Sequence, residues 1–279
     1  MIAIELAKQT RRPRAWLTLL VVVAIPPLLT LVIGASRPAL AERVGDYGSV
    51  VTNTSGFTMP LIALSAMLLF LLPLAVAIFA GECVAGEASW GSLRYLLARP
   101  VPRWRVLGAK AAVAALYSVA AVVLAILASL ASGVLAFGVH PLTVLDLQHT
   151  TPFLVASTKL QPLTAVVRLA LTTAYVLATL TSTFAFALLL STVSARPFSA
   201  VAGGVGLGLF SRALDNIPGL HALSPWLPVT DTATSQWSGF FTRPMQTGGV
   251  AHVMAVQASY TALFLLAAVV WFTRSDVLT

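Results

Sequence analysis

The chain has 279 residues, 58% hydrophobic and 9% charged, with a mean hydropathy of +0.91 and a formal net charge of +8. A soluble domain carries about 25% charged residues, so a soluble enzyme, a disordered regulator and a nucleic-acid-binding module are excluded. The basic residues punctuate apolar runs, and the lone Cys83 excludes an internal disulfide and a cysteine-rich metal site.

Segment 2–12 comes first. Wound as a helix, it gathers Ile2, Ala3, Leu6, Ala7 and Thr10 on one arc and Glu5, Lys8, Gln9, Arg11 and Arg12 on the other. That predicts a basic amphipathic helix lying along the membrane surface, broken by Pro13. Arg11-Arg12, the apolar run behind them and Ala39-Leu40-Ala41 also mimic a twin-arginine signal peptide with its cleavage site. The apolar run, about 19 residues, is long for a signal peptide and long enough for a span.

Six stretches are predicted to cross the membrane: 15–34, 57–80, 111–137, 165–190, 197–217 and 250–272. The first holds Pro26-Pro27 and the second holds Pro60 and Pro73, while the uninterrupted apolar part of the fifth stops at Phe210. The expectation is therefore an all-α integral membrane protein, a single transmembrane domain over 1–279, with both termini on one side. With the termini placed inside, 11 basic and 4 acidic residues lie inside and 6 basic and 5 acidic outside, so the positive-inside rule favours N-in and C-in.

The outer segments 36–56, 138–163 and 219–249 are near neutral and rich in Thr, Ser, Gly and Pro. They are too short for a domain with its own core. The inner segment 81–110 is the informative one. Within it, 87–98 reads as a short helix with Trp90, Leu93, Leu96 and Leu97 on one side and Glu87, Gly91, Arg94 and Ala98 on the other. Twelve residues are too few to span, and Arg99-Pro100-Val101-Pro102 ends the helix.

Several chemistries find no residues. Gly108-Ala109-Lys110 lacks the upstream glycine and the following hydroxyl of a phosphate-binding loop. The glycine run 203–208 sits in an apolar span, where Gly204 and Gly208 form a small-xxx-small pair suited to close helix packing. His140, His149, His221 and His252 make no metal-binding pair. The deep middles of spans one to four and six carry no ionisable residue, which argues against an ion-coupled carrier. Arg168, Arg212 and Asp215 lie near outer span ends, where snorkelling is expected. No catalytic site, metal or cofactor is expected in the chain.

The run from Gly81 to Lys110 resembles the signature loop of the type-2 ABC permeases, the membrane subunits of ABCG-like (type V) exporters. The family pattern falls on Glu87, Gly91-Ser92-Leu93, Leu96-Leu97, Pro100-Val101, Arg103 and Gly108-Ala109-Lys110. Gly-Ser stands where the family has Gly-Thr, which keeps the hydroxyl.

The resemblance implies a permease subunit coupled to ATP hydrolysis on a separate cytoplasmic ABC ATPase present in two copies, with ATP and Mg bound there. A second permease, identical or paralogous, completes the exporter in a bacterial plasma membrane. It also implies ATPase-coupling roles for Glu82, Glu87, Trp90, Gly91, Ser92, Leu93, Arg94, Leu97, Arg99, Pro100, Arg103 and Lys110. Glu5, Lys8, Arg11 and Arg12 would make a second cytoplasmic contact, Gly204 and Gly208 would pack at the dimer axis, and Phe70, Phe79, Phe198 and Phe210 are candidates for the substrate pathway. Two alternatives remain: a non-transporting membrane component that recruits an ATPase, and a six-span membrane enzyme.

Overall fold

The computed structural model describes residues 2–44, 55–89, 91, 102–145, 157–217, 219–230, 236–242 and 244–274. Nine helices in this set run α1 (Ile2–Thr10), α2 (Pro13–Val44), α3 (Thr58–Leu69), α4 (Leu71–Ser89), α5 (Arg103–Phe137), α6 (Pro162–Thr179), α7 (Thr181–Val193), α8 (Pro197–Asp215) and α9 (Val250–Arg274). The all-α expectation needs one amendment. Strands β1 (Leu142–Leu145) and β2 (Ser157–Leu160) pair antiparallel, with Leu142 opposite Leu160. Both leucines are fully buried, so the hairpin is held by its apolar contacts as well as its ladder.

Among the described residues, five helical stretches are long and apolar enough to cross a membrane: Pro13–Ser36, Leu71–Ser89, Arg103–Phe137, Pro162–Val193 and Val250–Arg274. The chain is thus a multi-pass membrane protein. The stretch expected as the fifth span is α8, 19 residues long, with Arg212 and Asp215 in its last turns, and it falls outside that set. The expected second span is divided at Phe70, whose φ of −144° and ψ of −46° interrupt the helix. Pro73 explains the break: it has no N–H to donate to the carbonyl of Leu69 four residues earlier, and its ring crowds that carbonyl. The helix resumes as α4 and runs on to Ser89, nine residues beyond the expected end of the span at Ala80.

Helix α4 is the centre of the bundle, packing against α5, α7 and α8. Small residues allow the close approach. A Cβ on Gly204 would lie 2.8 Å from the Ala187 methyl and 3.0 Å from the Ala77 methyl, and one on Gly81 would lie 3.0 Å from the Val201 backbone nitrogen. Larger apolar side chains fill the remaining core, among them Val22, Leu64, Leu72, Phe79, Val122 and Val176. The outer faces keep apolar groups on the surface, as a membrane solvent requires. Leu17, Leu20 and Leu31 on α2 and Leu127 and Leu135 on α5 are all exposed.

A candidate coupling site built from buried charge

The C-terminal end of α4 and the first turns of α5 face each other across the segment that joins them. Glu87 is in the last turn of α4 and Lys110 in the third turn of α5. Their side chains meet at 2.7 Å between Lys110 Nζ and Glu87 Oε2. The two residues are 3% and 4% exposed. A buried ion pair survives only when its geometry is good and its remaining donors and acceptors are satisfied.

Here α1 supplies the further partners. Lys110 also reaches Glu5 Oε2 at 3.2 Å, and Lys8 Nζ donates to Glu87 Oε1 at 3.3 Å and to Glu5 Oε1 at 3.5 Å. Arg12 Nη2 lies 3.9 Å from Glu87 Oε1, and Arg14 Nη1 lies 3.4 Å from Glu82 Oε1. Every carboxylate in the cluster thus sees at least one cation, and Glu87 sees three.

This arrangement changes the reading of the N-terminal helix. Glu5 and Leu6 turn inward, Leu6 against the core and Glu5 toward Lys110. Ile2, Ala3, Ile4 and Ala7 are exposed. The helix is docked on the bundle through an acid, a contact its amphipathic pattern did not indicate. Glu5, Lys8 and Arg12, expected to face a partner, have partners within the chain, and Arg11 is exposed.

Glu82 and Glu87 likewise belong to the end of α4, not to a separate helix over 87–98. Gly91 follows the helix with φ of +68°, a conformation that favours glycine, and its N–H donates to the Ala88 carbonyl at 3.0 Å. Trp90, Ser92, Leu93, Arg94, Leu97, Arg99 and Pro100 lie outside the described residues. Arg103 opens α5 and donates to the Thr273 carbonyl at 3.3 Å, close to the end of α9.

Three features went unseen in the sequence. Ser191 near the end of α7 is 1% exposed, and its Oγ accepts from the backbone N–H groups of Val84 and Ala85 at 3.1 and 2.9 Å. This ties α7 to α4 one turn before Glu87.

At the other end of α4, Arg212 is buried and does not snorkel. Its Nη1 donates to the Leu69 carbonyl at 2.7 Å and its Nη2 to the Leu68 carbonyl at 3.3 Å. The guanidinium takes the place of the N–H that Pro73 lacks. Asp215 is buried one turn further along α8.

The third is a row on the first turns of α9. His252 Nε2 hydrogen-bonds the Pro225 carbonyl at 2.9 Å, Gln257 Nε2 donates to the Pro228 carbonyl, and Tyr260 Oη donates to the Trp226 carbonyl at 3.0 Å. Arg168, read as snorkelling, is similarly engaged, donating to the Thr242 carbonyl at 2.8 Å.

Other expected residues fall elsewhere. Gly204 packs within the chain, between α4 and α7, so its close approach is accounted for without a dimer axis, and Gly208 faces Val229 at ordinary contact distance. Phe79 is a core residue, 1% exposed, with its ring 5.5 Å from that of Tyr117. Phe70, Phe198 and Phe210 are exposed on the outside of the bundle.

A family model described as ABC-2 family transporter protein matches residues 1–196. The matched region holds α1 to α7 and with them all seven residues of the charged cluster. No curated protein matches the chain.

Because that match covers more than half of its length, the chain belongs to the ABC-2 transporter family.

Proposed function

We propose that the chain is the permease subunit of an ABC exporter, and that segment 90–102 is where it receives the stroke of a separate ATPase. One observation carries the reading: the Glu87–Lys110 pair joins the two helices that flank that segment, at 2.7 Å. A segment whose flanking helices are bonded to each other moves them together. A push on it therefore displaces α4 and α5 as a unit rather than being absorbed by their separation. Because α4 also packs on α7 and α8, displacement at its C-terminal end is passed into the membrane part of the bundle.

In this reading the chain crosses the membrane six times, α8 being the fifth span, with both termini in the cytoplasm. Two copies of the ATPase hold ATP and Mg and close on one another. Two permeases, identical or paralogous, flank the substrate path in a bacterial plasma membrane. Trp90, Leu93 and Leu97 supply an apolar ridge and Arg94 a polar contact toward the ATPase. The N-terminal helix, fixed by Glu5 and Lys8, holds the base of the segment. This chain supplies no catalytic group, and export is driven by hydrolysis on its partner.

Co-expression with the ABC ATPase subunit tests the proposal. The wild-type chain is expected to co-purify with it and to raise its ATPase rate in lipid. Trp90→Ala with Leu93→Ala is expected to lose both while the chain still folds. A wild-type chain that recovers no ATPase, or a variant that couples as well as wild type, would sink the reading.

A further inference from the structure

We infer that the cleft between the start of α2 and the end of α4 binds the phosphate of an anionic phospholipid, in the leaflet on that side of the membrane. The inference needs only that the chain spans a membrane and is independent of any coupling to an ATPase. The cleft measures about 450 Å³ and is lined by Arg12, Arg14, Glu82, Gly86, Glu87 and Pro197, beside Pro13.

Charge is the first argument. The cluster around it holds four cations, Lys8, Arg12, Arg14 and Lys110, against three carboxylates, Glu5, Glu82 and Glu87. Among the described residues one positive charge is left over, and an anion would balance it. The two arginines are the members best placed to take that anion. Their carboxylate contacts are long, 3.9 Å for Arg12 and 3.4 Å for Arg14. A guanidinium offers five N–H donors in a plane that suits phosphate oxygens two at a time.

The shape of the wall is the second argument. A Cβ on Gly86 would stand 3.7 Å from Arg12 Nη1, so the glycine leaves that face of the guanidinium open to the cleft.

The third argument is what lies below. Leu17, Val21 and Leu28 follow Arg14 at three, seven and fourteen residues along α2, on the same helix face. They are 61%, 41% and 54% exposed. Trp16 beside them is also exposed, and tryptophan marks the headgroup level of a bilayer. A cleft that offers two arginines at the head of an apolar stripe fits a molecule with a charged head and a hydrocarbon tail. Free phosphate would use only the upper half, and a soluble peptide would have no use for the stripe.

The test uses the purified full chain in detergent, offered phosphatidylglycerol or phosphatidylcholine with identical acyl chains and read by native mass spectrometry. Wild type is expected to retain the anionic lipid about tenfold over the zwitterionic one, the effect of one charge-assisted hydrogen bond. Arg12→Gln with Arg14→Gln is expected to abolish the preference. Gly86→Leu, which keeps every charge and fills the cleft, is expected to lower it about as much, with helical content by circular dichroism matching wild type.

Equal retention of the two lipids by wild type overturns the inference and needs no variant. So does full preference in Gly86→Leu, displacement of the lipid by millimolar inorganic phosphate, or loss of the lipid when two chains associate through this face.

Discussion

The two ends of α4 bury charge in opposite ways. At the Ser89 end, Glu87 and Lys110 meet as an ion pair, and α1 adds Glu5 and Lys8 to complete their hydrogen bonds. At the Leu71 end, Arg212 donates to the Leu68 and Leu69 carbonyls. The first site is charge answered by charge, and it brings together three helices from distant parts of the chain. The second is charge answered by the backbone, and it exists because Pro73 took a donor out of the helix. A helix held at both ends moves as a rod, which is what a transmitting element needs.

The sharpest break of this comparison is removal of one charge from the first site. Lys110→Met is expected to cost about 2 to 3 kcal/mol, short of the roughly 3 to 5 for an uncompensated buried charge, because Glu87 keeps only Lys8 and the distant Arg12. Adding Glu87→Gln to Lys110→Met is expected to restore most of that, a non-additivity that thermal unfolding in detergent will read as a coupling between the two sites.

At the second site Arg212→Leu is expected to cost about 3 kcal/mol, from two charge-assisted hydrogen bonds to buried carbonyls. Pro73→Ala should reduce that cost, since an alanine N–H can bond the Leu69 carbonyl itself. An undiminished cost in the Pro73→Ala background would show that the proline is not the reason for the arginine.

Between the two ends, Gly204→Ala is expected to cost about 1 to 3 kcal/mol by overpacking against Ala77 and Ala187. Ser191→Ala, which removes the acceptor for two backbone N–H groups of α4, should cost about 1 kcal/mol. The smallest effect is expected from Arg14→Gln, under about 1 kcal/mol in thermal unfolding, since the Arg14–Glu82 pair is long and largely exposed.

Much of this was legible in the sequence. Apolar length alone located the helices, because a membrane demands about 20 such residues per crossing. The pattern around Glu87 and Lys110 marked the segment between α4 and α5, and the family match agrees with it. The partners of those residues were not legible. Glu5 lies 105 residues from Lys110 along the chain, and nothing in either local pattern names the other.

The docking of α1 on the bundle escaped the sequence for a related reason. Periodicity separates two faces but does not say what either one meets, and half-buried Glu5 reaches Lys110 from the polar face while Leu6 packs from the apolar one. Arg212 left a weaker trace. A proline inside an apolar run frees the carbonyl four residues back, and an arginine in another apolar helix is a donor in search of one. The sequence held both signals, but only the packing of α8 on α4 joined them. Of the four phenylalanines singled out in the sequence, one is core and three are exposed, a difference residue type alone does not carry.

The most direct test of the stapled segment is the ATPase rate of the lipid-reconstituted complex for wild type, Lys110→Met, and Lys110→Met with Glu87→Gln. The double variant separates folding from transmission, because it no longer buries an unpaired charge yet has no bond across the base of the segment. The account predicts that it folds and binds the ATPase but leaves the rate at the level of the ATPase alone. Wild-type stimulation by the double variant would contradict it, and would mean that the pair holds the fold together without carrying the stroke.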